Sequence, residues 1–305
     1  MAVSIDLSGK VALVTGGSYG LGLVWAEALA DAGATLALTA RSRALLERNA
    51  ADFTARGVTA SAHVGDVTSA DDVDRVVAET IAAHGHIDVL VNNAGISDVT
   101  GRASEETPVD DFRHHVEVDL VGVFAFARAV GRHMLARGSG SIVNISSMLG
   151  VAGSETVNPA YHASKAGVIN LTRLLAVEWA DRGVRVNAIS PGYFMSEMIR
   201  EALELTGMRT WIESRTPMRR LGEHDELRGA LLFLASDWSS YVTGHNLVVD
   251  GGTSSIVGAN QLKVPHLQWT RPGPVAKDRL WEGIAELPAN ILREGIPGFH
   301  FPAEE

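Results

Sequence analysis

The chain has 305 residues, of which 46% are hydrophobic and 20% charged, a composition typical of a globular protein with a packed core. Its formal net charge of −10 argues against a nucleic-acid-binding surface, which needs clustered Lys and Arg, and against attraction to anionic membranes. The absence of cysteine excludes disulfides, a thiol nucleophile and Cys-ligated zinc.

Short runs of apolar and β-branched residues alternate with longer helical patterns. Because the runs are apolar along most of their length, they are typical of strands covered on both faces. The predicted strands are 11–15, 35–39, 61–65, 88–92, 141–146, 184–190 and 246–250, and the predicted helices are 20–32, 42–56, 70–84, 108–137, 158–182 and 224–236. The alternation predicts an α/β fold with a Rossmann-type, doubly wound sheet of seven parallel strands, in which ligands bind beyond the carboxyl ends of the strands.

The N-terminal segment MAVSIDLSGK lacks the basic and apolar regions of a signal peptide. No uninterrupted apolar run approaches the roughly 20 residues that a membrane-spanning helix needs. We therefore expect a cytoplasmic protein whose ligands are small molecules and which binds neither membranes nor nucleic acids.

The first predicted strand runs directly into the glycine-rich segment VTGGSYGLG, which opens the first helix. In such a turn Gly16, Gly20 and Gly22 allow a tight bend, close approach to a pyrophosphate, and packing of helix against strand. The helix N-terminus then faces the anion with free N–H groups and the positive end of its dipole. A glycine-rich turn alone is a weak signal, but its place after an N-terminal strand predicts a dinucleotide site.

The end of the second strand bears on the choice of cofactor. An NAD site usually places Asp or Glu about 20 residues after the glycines, where it binds the ribose 2′-hydroxyl. Here the strand ends LTARSR and offers no acid, whereas Arg41 stands at that point with Arg43 nearby. An arginine can pair with a 2′-phosphate through charge-assisted hydrogen bonds. The pattern favours NADP(H) over NAD(H), the alternative being that Arg41 is a solvated surface residue.

The segment NPAYHASKAG places Lys165 four residues after Tyr161, in a chain with only four lysines and four tyrosines. At this spacing two side chains lie on one face of a helix and can interact. An unperturbed phenol has a pKa of about 10, too high for efficient proton transfer at neutral pH, and a neighbouring cation stabilises the phenolate. The pair therefore predicts an acid–base tyrosine assisted by a lysine.

Polar motifs also follow other predicted strands: GDVT at 65–68, NNAG at 92–95, NISS at 144–147 and SPGYFMS at 190–196. With the glycine-rich turn and the Tyr–Lys pair, this ordered set resembles the short-chain dehydrogenase/reductase family over roughly residues 5–253. The segments DLSGKVALVTGGSYGLG and LALTARSRALLE look most like members of the gluconate 5-dehydrogenase and 3-oxoacyl-carrier-protein reductase types. The resemblance implies an NAD(P)-dependent oxidoreductase that interconverts a secondary alcohol and a ketone.

The resemblance also implies roles for individual residues. Tyr161 would transfer the proton, Lys165 would bind the nicotinamide ribose beside it, and Ser147 would hold the substrate oxygen. Asp66 and Val67 would hold the adenine. The other implied cofactor-binding positions are Gly16, Ser18, Tyr19, Gly20, Leu21, Gly22, Arg41, Asn93, Ala94, Gly95, Pro191, Gly192, the backbone of Phe194, and the hydroxyl of Ser196, which stands where the family usually has Thr.

Two positions depart from the family pattern. The segment VEVDLVGVF carries Asp119 where the family commonly has an asparagine that helps to hold a water for proton relay. Asp accepts hydrogen bonds as Asn does but cannot donate them, and an ionised Asp119 would add a negative charge near Lys165 and Tyr161. Ser147 precedes Tyr161 by one residue more than is usual, which predicts a bulged loop over 148–157.

The sequence divides near residue 255 into a catalytic domain, 1–255, and a C-terminal extension, 256–305. Six of the ten prolines lie between 265 and 302, together with Trp269, Trp281, Phe299 and Phe301. Because disordered segments are usually poor in aromatic residues, the extension is predicted to dock on a surface, with disorder as the alternative. The resemblance further implies a homotetramer packed through the helices predicted over 108–137 and 158–182.

Other interpretations have less support. The histidines at 84 and 86 and at 114 and 115 lack the i,i+4 spacing of helical metal ligands, so no metal site is predicted and solvated helix-end histidines are expected instead. An NAD(H)-dependent enzyme of the same family and a non-catalytic NADP(H)-binding regulator remain as alternatives. A lid predicted over 193–215 contains Met195 and Trp211, which favours an apolar or aromatic ketone over a sugar acid as substrate.

Overall fold

The computed structural model describes residues 5–96, 104–154, 159–195 and 208–255. The strands within these residues are β1 (Val11–Thr15), β2 (Thr35–Ala40), β3 (Ala60–Val64), β4 (Val89–Asn92), β5 (Gly140–Ile145), β6 (Val184–Pro191) and β7 (Asn246–Val249). The helices are α1 (Leu21–Asp31), α2 (Arg43–Ala55), α3 (Ala70–His84), α4 (Val109–Val116), the π-helical segment (Glu117–Val121), α5 (Gly122–Arg137), α6 (Pro159–Trp179), α7 (Met208–Arg215) and α8 (Asp225–Ala235).

The strands form one parallel sheet in the order β3-β2-β1-β4-β5-β6-β7. The chain builds outward from β1 to β3 and then returns to the far side of β1 to place β4. The order therefore reverses between β1 and β4, and the loops after these two strands leave a crevice at the carboxyl edge of the sheet. The predicted fold is confirmed, and every predicted strand ends within one residue of an observed one.

Alternate side chains of the central strands enter two different cores. In β1, Ala12 and Val14 face one core and Leu13 faces the other, as the two-residue period of a strand requires. The first core lies between the sheet and α1, α2 and α8, and the second lies between the sheet and α3, α5 and α6. Coverage on both faces explains why the strands are apolar along most of their length.

Two helical features were not predicted from the sequence. The helix predicted over 108–137 consists of α4, the π-helical segment and α5, and the π turn contains Asp119. Such π turns are rare and occur frequently at functional sites. Helix α7 lies in the segment that the sequence predicts only as a lid. It was not predicted as a helix because eight residues are too few to show a clear helical period.

The C-terminal extension, 256–305, lies outside the described residues, so its docking and the boundary at 255 stay predictions. Among the residues that are described, no helix combines the length and the apolar character needed to cross a membrane.

Candidate active site

The glycine-rich turn after β1 has a backbone that only glycine adopts readily. Gly16 and Gly20 have positive φ angles of 67° and 59°, in a region that disfavours other residues. A Cβ atom on Gly22 would lie 2.0 Å from the carbonyl oxygen of Gly16, so this position needs glycine for packing. Because α1 begins directly after Gly20, its N-terminus opens on the crevice beyond β1.

This turn is stabilised by Asn93 and by three side chains that the motifs did not indicate: Thr15, Trp25 and Asn49. Thr15 Oγ1 accepts hydrogen bonds of 3.0 Å from the backbone amides of Asn93 and Ala94. The Asn93 side chain donates to the Thr15 carbonyl (3.1 Å) and accepts from the indole N–H of Trp25 (2.9 Å). Asn49 Nδ2 donates to two carbonyls of the turn, at 2.9 and 3.3 Å. The turn, β4, α1 and α2 are thus tied together.

A cavity of about 360 Å³ lies beyond the carboxyl ends of β1 to β4. Most of the predicted cofactor-binding residues line it: Gly16, Ser18, Tyr19, Gly20, Leu21, Arg41, Asp66, Val67, Asn93, Ala94 and Gly95. Residues that the sequence analysis did not name complete the lining: Ala40, Ser42, Gly65, Ile96 and Val118. Segments after four strands of the sheet, together with Val118 of the π-helical segment, therefore surround one cavity.

The two arginines after β2 have different surroundings. Arg43 Nη1 forms a 3.2 Å ion pair with Glu47 on the surface of α2. Arg41 lines the cavity, and no described residue lies within hydrogen-bond or ion-pair distance of its guanidinium. Among the described lining residues the one carboxylate is that of Asp66, which follows β3 and not β2. The end of β2 therefore presents the Arg41 cation to the cavity without an acidic residue beside it.

Asp66 is oriented by its own loop. Its Oδ1 accepts hydrogen bonds from the backbone amide (2.9 Å) and the hydroxyl (2.8 Å) of Thr68. Its backbone amide donates to Asp72 Oδ2 at 3.0 Å. The Arg75 guanidinium, 2.6 Å from Asp72, lowers the pKa of the Asp72 carboxyl and keeps it an acceptor. The direction of the Asp66 carboxylate is therefore set by local hydrogen bonds.

A second cavity, of about 200 Å³, shares lining residues with the first: Leu21, Asn93, Gly95 and Ile96. Tyr161 and Lys165 of α6 and Ser147, which follows β5, line this second cavity. Its remaining walls come from Ile145, Ser146, Pro191 and Gly192. The structure thus places Ser147, Tyr161 and Lys165 around one cavity. This cavity adjoins the first one, which we call the glycine-lined cavity because Gly16, Gly20 and Gly95 line it.

Lys165 is buried, with 4% of its surface exposed, and its Nζ lies 5.4 Å from the centre of the Tyr161 ring. Nζ donates a 3.3 Å hydrogen bond to the carbonyl of Ile145 at the end of β5. The Lys165 carbonyl accepts a 2.8 Å hydrogen bond from Ser146 Oγ. These contacts hold α6 against the end of β5 and supply a partner for the buried ammonium.

Ser147 precedes the short 3₁₀ helix Met148–Gly150 and caps it. Its Oγ accepts a 3.1 Å hydrogen bond from the backbone amide of Leu149, which leaves the hydroxyl proton available to the cavity. The bulged loop predicted over 148–157 includes residues 155–158, which lie outside the described residues, so the bulge stays a prediction.

Asp119 is fully buried in the π-helical segment. Its Oδ1 accepts a 2.8 Å hydrogen bond from the backbone amide of Ile96. A Cβ atom on Gly95 would lie 2.7 Å from Asp119 Oδ1 and 3.2 Å from Lys165 Nζ, so both side chains pack against the same glycine. Burial raises the pKa of the Asp119 carboxyl, while the positive charge of Lys165 and the Ile96 amide oppose that rise.

Three described site residues, Asp119, Gly22 and Phe194, do not line these two cavities. The ring of Phe194 packs against Gly222 and borders a separate cavity of about 80 Å³. Gly22 acts through its packing inside the glycine-rich turn. Ser196 lies outside the described residues.

The expectation of solvated helix-end histidines is wrong for His115. This residue is only 6% exposed, and its Nδ1 donates a 2.9 Å hydrogen bond to the carbonyl of Asp111, one turn earlier in α4. The expectation failed because adjacent helical residues point in different directions, and His114 rather than His115 faces solvent. In the part of the chain that the structure describes, no group of three acidic, His or Cys side chains is arranged to hold a metal ion.

The chain is similar to proteins of known activity. A family model described as "Enoyl-(Acyl carrier protein) reductase" matches residues 16–254. Galactitol 2-dehydrogenase (L-tagatose-forming) of Cereibacter sphaeroides is 44% identical over 252 residues, which cover 81% of this chain and 95% of the relative. The chain belongs to the short-chain dehydrogenase/reductase family. The resemblance predicted from the motifs is confirmed.

Two gluconate dehydrogenases of this short-chain dehydrogenase/reductase family are also similar. Gluconate 5-dehydrogenase of Gluconobacter oxydans (strain 621H) is 40% identical over 252 residues, covering 81% of this chain and 95% of the relative. The crystal structure of a gluconate 5-dehydrogenase from Burkholderia cenocepacia J2315, in complex with NADP and tartrate, has a TM-score of 0.78 and 40% identity and covers 83% of this chain and 98% of that one. The protein is therefore a dehydrogenase/reductase that acts on CH–OH groups with a nicotinamide cofactor.

Proposed function

We propose that this short-chain dehydrogenase/reductase is NADP(H)-dependent and interconverts a secondary alcohol of the polyol or sugar-acid type and the corresponding ketone. The observation that carries the proposal is the convergence of Ser147, Tyr161 and Lys165 on a cavity that shares walls with the glycine-lined one. A nicotinamide dinucleotide fits these residues, because the glycines at positive φ leave the cavity wall free of side chains beside the N-terminus of α1.

Each of the three side chains has a role that its surroundings support. Tyr161 transfers the proton to or from the substrate oxygen, and the buried Lys165 ammonium, 5.4 Å from the ring centre, favours its phenolate. Ser147 donates its hydroxyl proton to the substrate oxygen, since the Leu149 amide orients its Oγ. The cofactor, when bound, supplies or accepts the hydride.

The preference for NADP(H) rests on Arg41. Arg41 lines the cavity beside the glycine-rich turn and its guanidinium has no partner among the described residues, whereas Arg43 is paired with Glu47. A free guanidinium at the end of β2 suits a 2′-phosphate, and the absence of an acid there among the described residues disfavours binding of a ribose 2′-hydroxyl. The NADP in the Burkholderia neighbour supports the same cofactor.

The proposed substrate, a polyol or sugar acid, differs from the apolar or aromatic ketone that the sequence alone favours. Met195 is 6% exposed and packs with Ile212 and Leu221 in a small separate core. Tyr193 and Trp211 pack edge-to-face against each other, with ring centres 6.3 Å apart. Because these side chains contribute to packing, their apolar character does not argue for an apolar substrate. The activities named for the relatives, on galactitol and gluconate, support a polyol or sugar acid.

A substrate panel tests the proposal. Galactitol, L-tagatose, D-gluconate, 5-keto-D-gluconate and an aryl ketone are assayed with NADP(H) and with NAD(H). We expect turnover of a polyol or sugar acid, at least tenfold higher kcat/KM with NADP(H), and loss of turnover in Tyr161→Phe. Preference for NAD(H) would contradict the cofactor assignment. NADPH binding without turnover of any substrate would favour the non-catalytic regulator.

We also propose assembly as a homotetramer through α5 and α6. Phe124 of α5 is 44% exposed, and Leu174 and Val177 of α6 are 53% and 82% exposed. Large apolar side chains exposed on neighbouring helices support an association surface. The extension, 256–305, is proposed to dock on a neighbouring subunit. Light scattering on the full chain and on a chain truncated after Ser255 tests both ideas: a tetramer that is weakened by truncation is expected.

A further inference from the structure

The chain that follows Ser147 folds back onto α6, the helix that carries the Tyr–Lys pair. The amide of Gly150 donates a 2.9 Å hydrogen bond to the Ser147 carbonyl, and the amides of the next two residues each donate to the Met148 carbonyl at 3.0 Å. Residues 147–152 therefore form one compact unit. The Ser147 hydroxyl belongs to this unit, because its Oγ accepts a hydrogen bond from the Leu149 amide.

Two contacts attach this unit and the residues after it to α6. A Cβ atom on Gly150 would lie 2.7 Å from the carbonyl carbon and oxygen of Lys165, so the backbone of Gly150 lies directly on the helix. The backbone amide of Ser154 donates a 3.1 Å hydrogen bond to Nε2 of His162. The first contact is packing between backbones, whereas the second is directional and depends on one side chain.

His162 follows Tyr161 directly on α6, and successive helical residues point about 100° apart because a turn contains about 3.6 residues. Tyr161 therefore faces the catalytic cavity while His162 faces the chain at Ser154. A backbone amide only donates, so Nε2 must carry a lone pair and the neutral ring must hold its proton on Nδ1. The contact thus requires an acceptor at this position and not merely a ring of the right size.

We propose that His162 is a positioning residue for Ser147. Its hydrogen bond to Ser154 anchors one end of the segment 147–154, and the Ser147 hydroxyl lies at the other end. The inference rests on the proposed role of Ser147 in holding the substrate oxygen. A catalytic group must be held within about 0.5 Å of its productive position by the residues around it. His162 lines neither of the two cavities, so its effect on the reaction passes through the segment.

Two substitutions of His162 separate the hydrogen bond from the volume of the side chain. His162→Phe keeps a planar ring and removes the acceptor, while His162→Gln supplies an amide oxygen that can accept from the same backbone amide. The matched control is His133→Phe. Nε2 of His133 also accepts a backbone hydrogen bond, 3.2 Å from the Ile87 amide. Ile87 precedes β4 and therefore lies at the amino edge of the sheet, opposite the cavities.

The variants are assayed as full chains with NADP⁺ and with galactitol and D-gluconate as substrates. We expect His162→Phe to lower kcat/KM for the alcohol roughly five- to tenfold, as the loss of one neutral hydrogen bond implies. NADP⁺ affinity should not change, and His162→Gln should keep most of the wild-type kcat/KM. His133→Phe should lose thermal stability and keep the wild-type kcat/KM. Equal kcat/KM values for His162→Phe and His133→Phe, or a Gln variant as slow as the Phe variant, would overturn the proposal.

Two NMR measurements do not need turnover. The ¹⁵N shifts of the His162 ring in the wild type at alkaline pH should show a protonated Nδ1 and an unprotonated Nε2. Hydrogen exchange of the Ser154 amide should be about tenfold faster in His162→Phe, because the amide loses its partner, and close to the wild type in His162→Gln. A proton on Nε2, or unchanged exchange in His162→Phe, would also overturn the proposal. If neither galactitol nor D-gluconate is turned over, the proposed function fails, and the NMR data still decide whether His162 anchors the segment.

Discussion

The Asp119 carboxylate and the backbone amide of Ile96 form a 2.8 Å hydrogen bond that ties the π-helical segment to the loop after β4. An asparagine oxygen can accept the same bond, so Asp119→Asn preserves this connection. The two residues differ in charge, and charge is costly at a fully buried position. The substitution therefore isolates the electrostatic effect of the aspartate from its structural one.

Asp119→Asn should increase thermal stability at neutral and alkaline pH. Burial raises the pKa of Asp119 above its ordinary value of 3.8. The protonated carboxyl then contributes its full stability below that ordinary value and loses it as pH rises through the raised pKa. An amide does not titrate, so the gain in melting temperature should grow as pH rises from 3.8 through the raised pKa and then level off. A difference between the two proteins that stays constant from below pH 3.8 to alkaline pH would contradict this explanation.

The same substitution should move the pH midpoint of turnover to lower pH. Ionised Asp119 places a negative charge beside Lys165 and opposes formation of the Tyr161 phenolate. Removing that charge allows the phenolate to form at lower pH. The measurement is a pH–rate profile for both proteins at constant ionic strength. Superimposable profiles would mean that Asp119 is neutral in the working range.

Tyr161→Phe should abolish turnover and leave NADPH affinity within a few-fold of the wild type, because the phenol acts on the proton and contributes little binding. Lys165→Arg should lower activity although it keeps the positive charge. The planar guanidinium cannot replace the compact ammonium, which donates a hydrogen bond to the Ile145 carbonyl. Steady-state kinetics and cofactor titration check both outcomes. An active, folded Tyr161→Phe variant would disprove the assignment.

Arg41→Ala should weaken NADPH binding tenfold or more, because a charge-assisted hydrogen bond contributes about 1.5–3 kcal/mol. NADH binding should change little. Arg43→Ala is the matched control, since Arg43 is also exposed and is paired with Glu47. Fluorescence titration with both cofactors distinguishes the two variants. Equal losses for NADPH and NADH in Arg41→Ala would show that the residue does not contact the 2′-phosphate.

Trp25→Phe should raise the KM for the cofactor several-fold with little change in kcat. It removes the indole N–H that holds Asn93 at 2.9 Å, a hydrogen bond that contributes about 1 kcal/mol. Trp179→Phe is the control, because Trp179 is also buried but packs against Gly131 in the other core. Both variants should lose thermal stability, and only Trp25→Phe should affect cofactor binding. A cofactor KM that rises equally in both would point to general loosening of the fold.

Local patterns in the sequence accounted for the parts of the site that depend on few neighbouring residues. Gly16 and Gly20 could be predicted because positive φ is a local property of the turn. Tyr161 and Lys165 could be paired because helical spacing alone brings them to one face. Composition alone could not assign the segment 193–215, because Met and aromatic residues are found both in substrate lids and in small cores. In the structure Met195 lies in a small core.

The alternation of strands and helices, the position of the site beyond the carboxyl ends of the strands and the chemical types of its main side chains followed from the sequence, because each strand and the motif after it are contiguous. Only the tertiary structure decided which distant residues meet. Trp25 reaches Asn93 across 68 positions, and the Asp119 carboxylate reaches the loop after β4. The burial of His115 is recognisable only once α4 is packed against α6. Burial and hydrogen-bond partners are properties of that packing, and no local pattern encodes them.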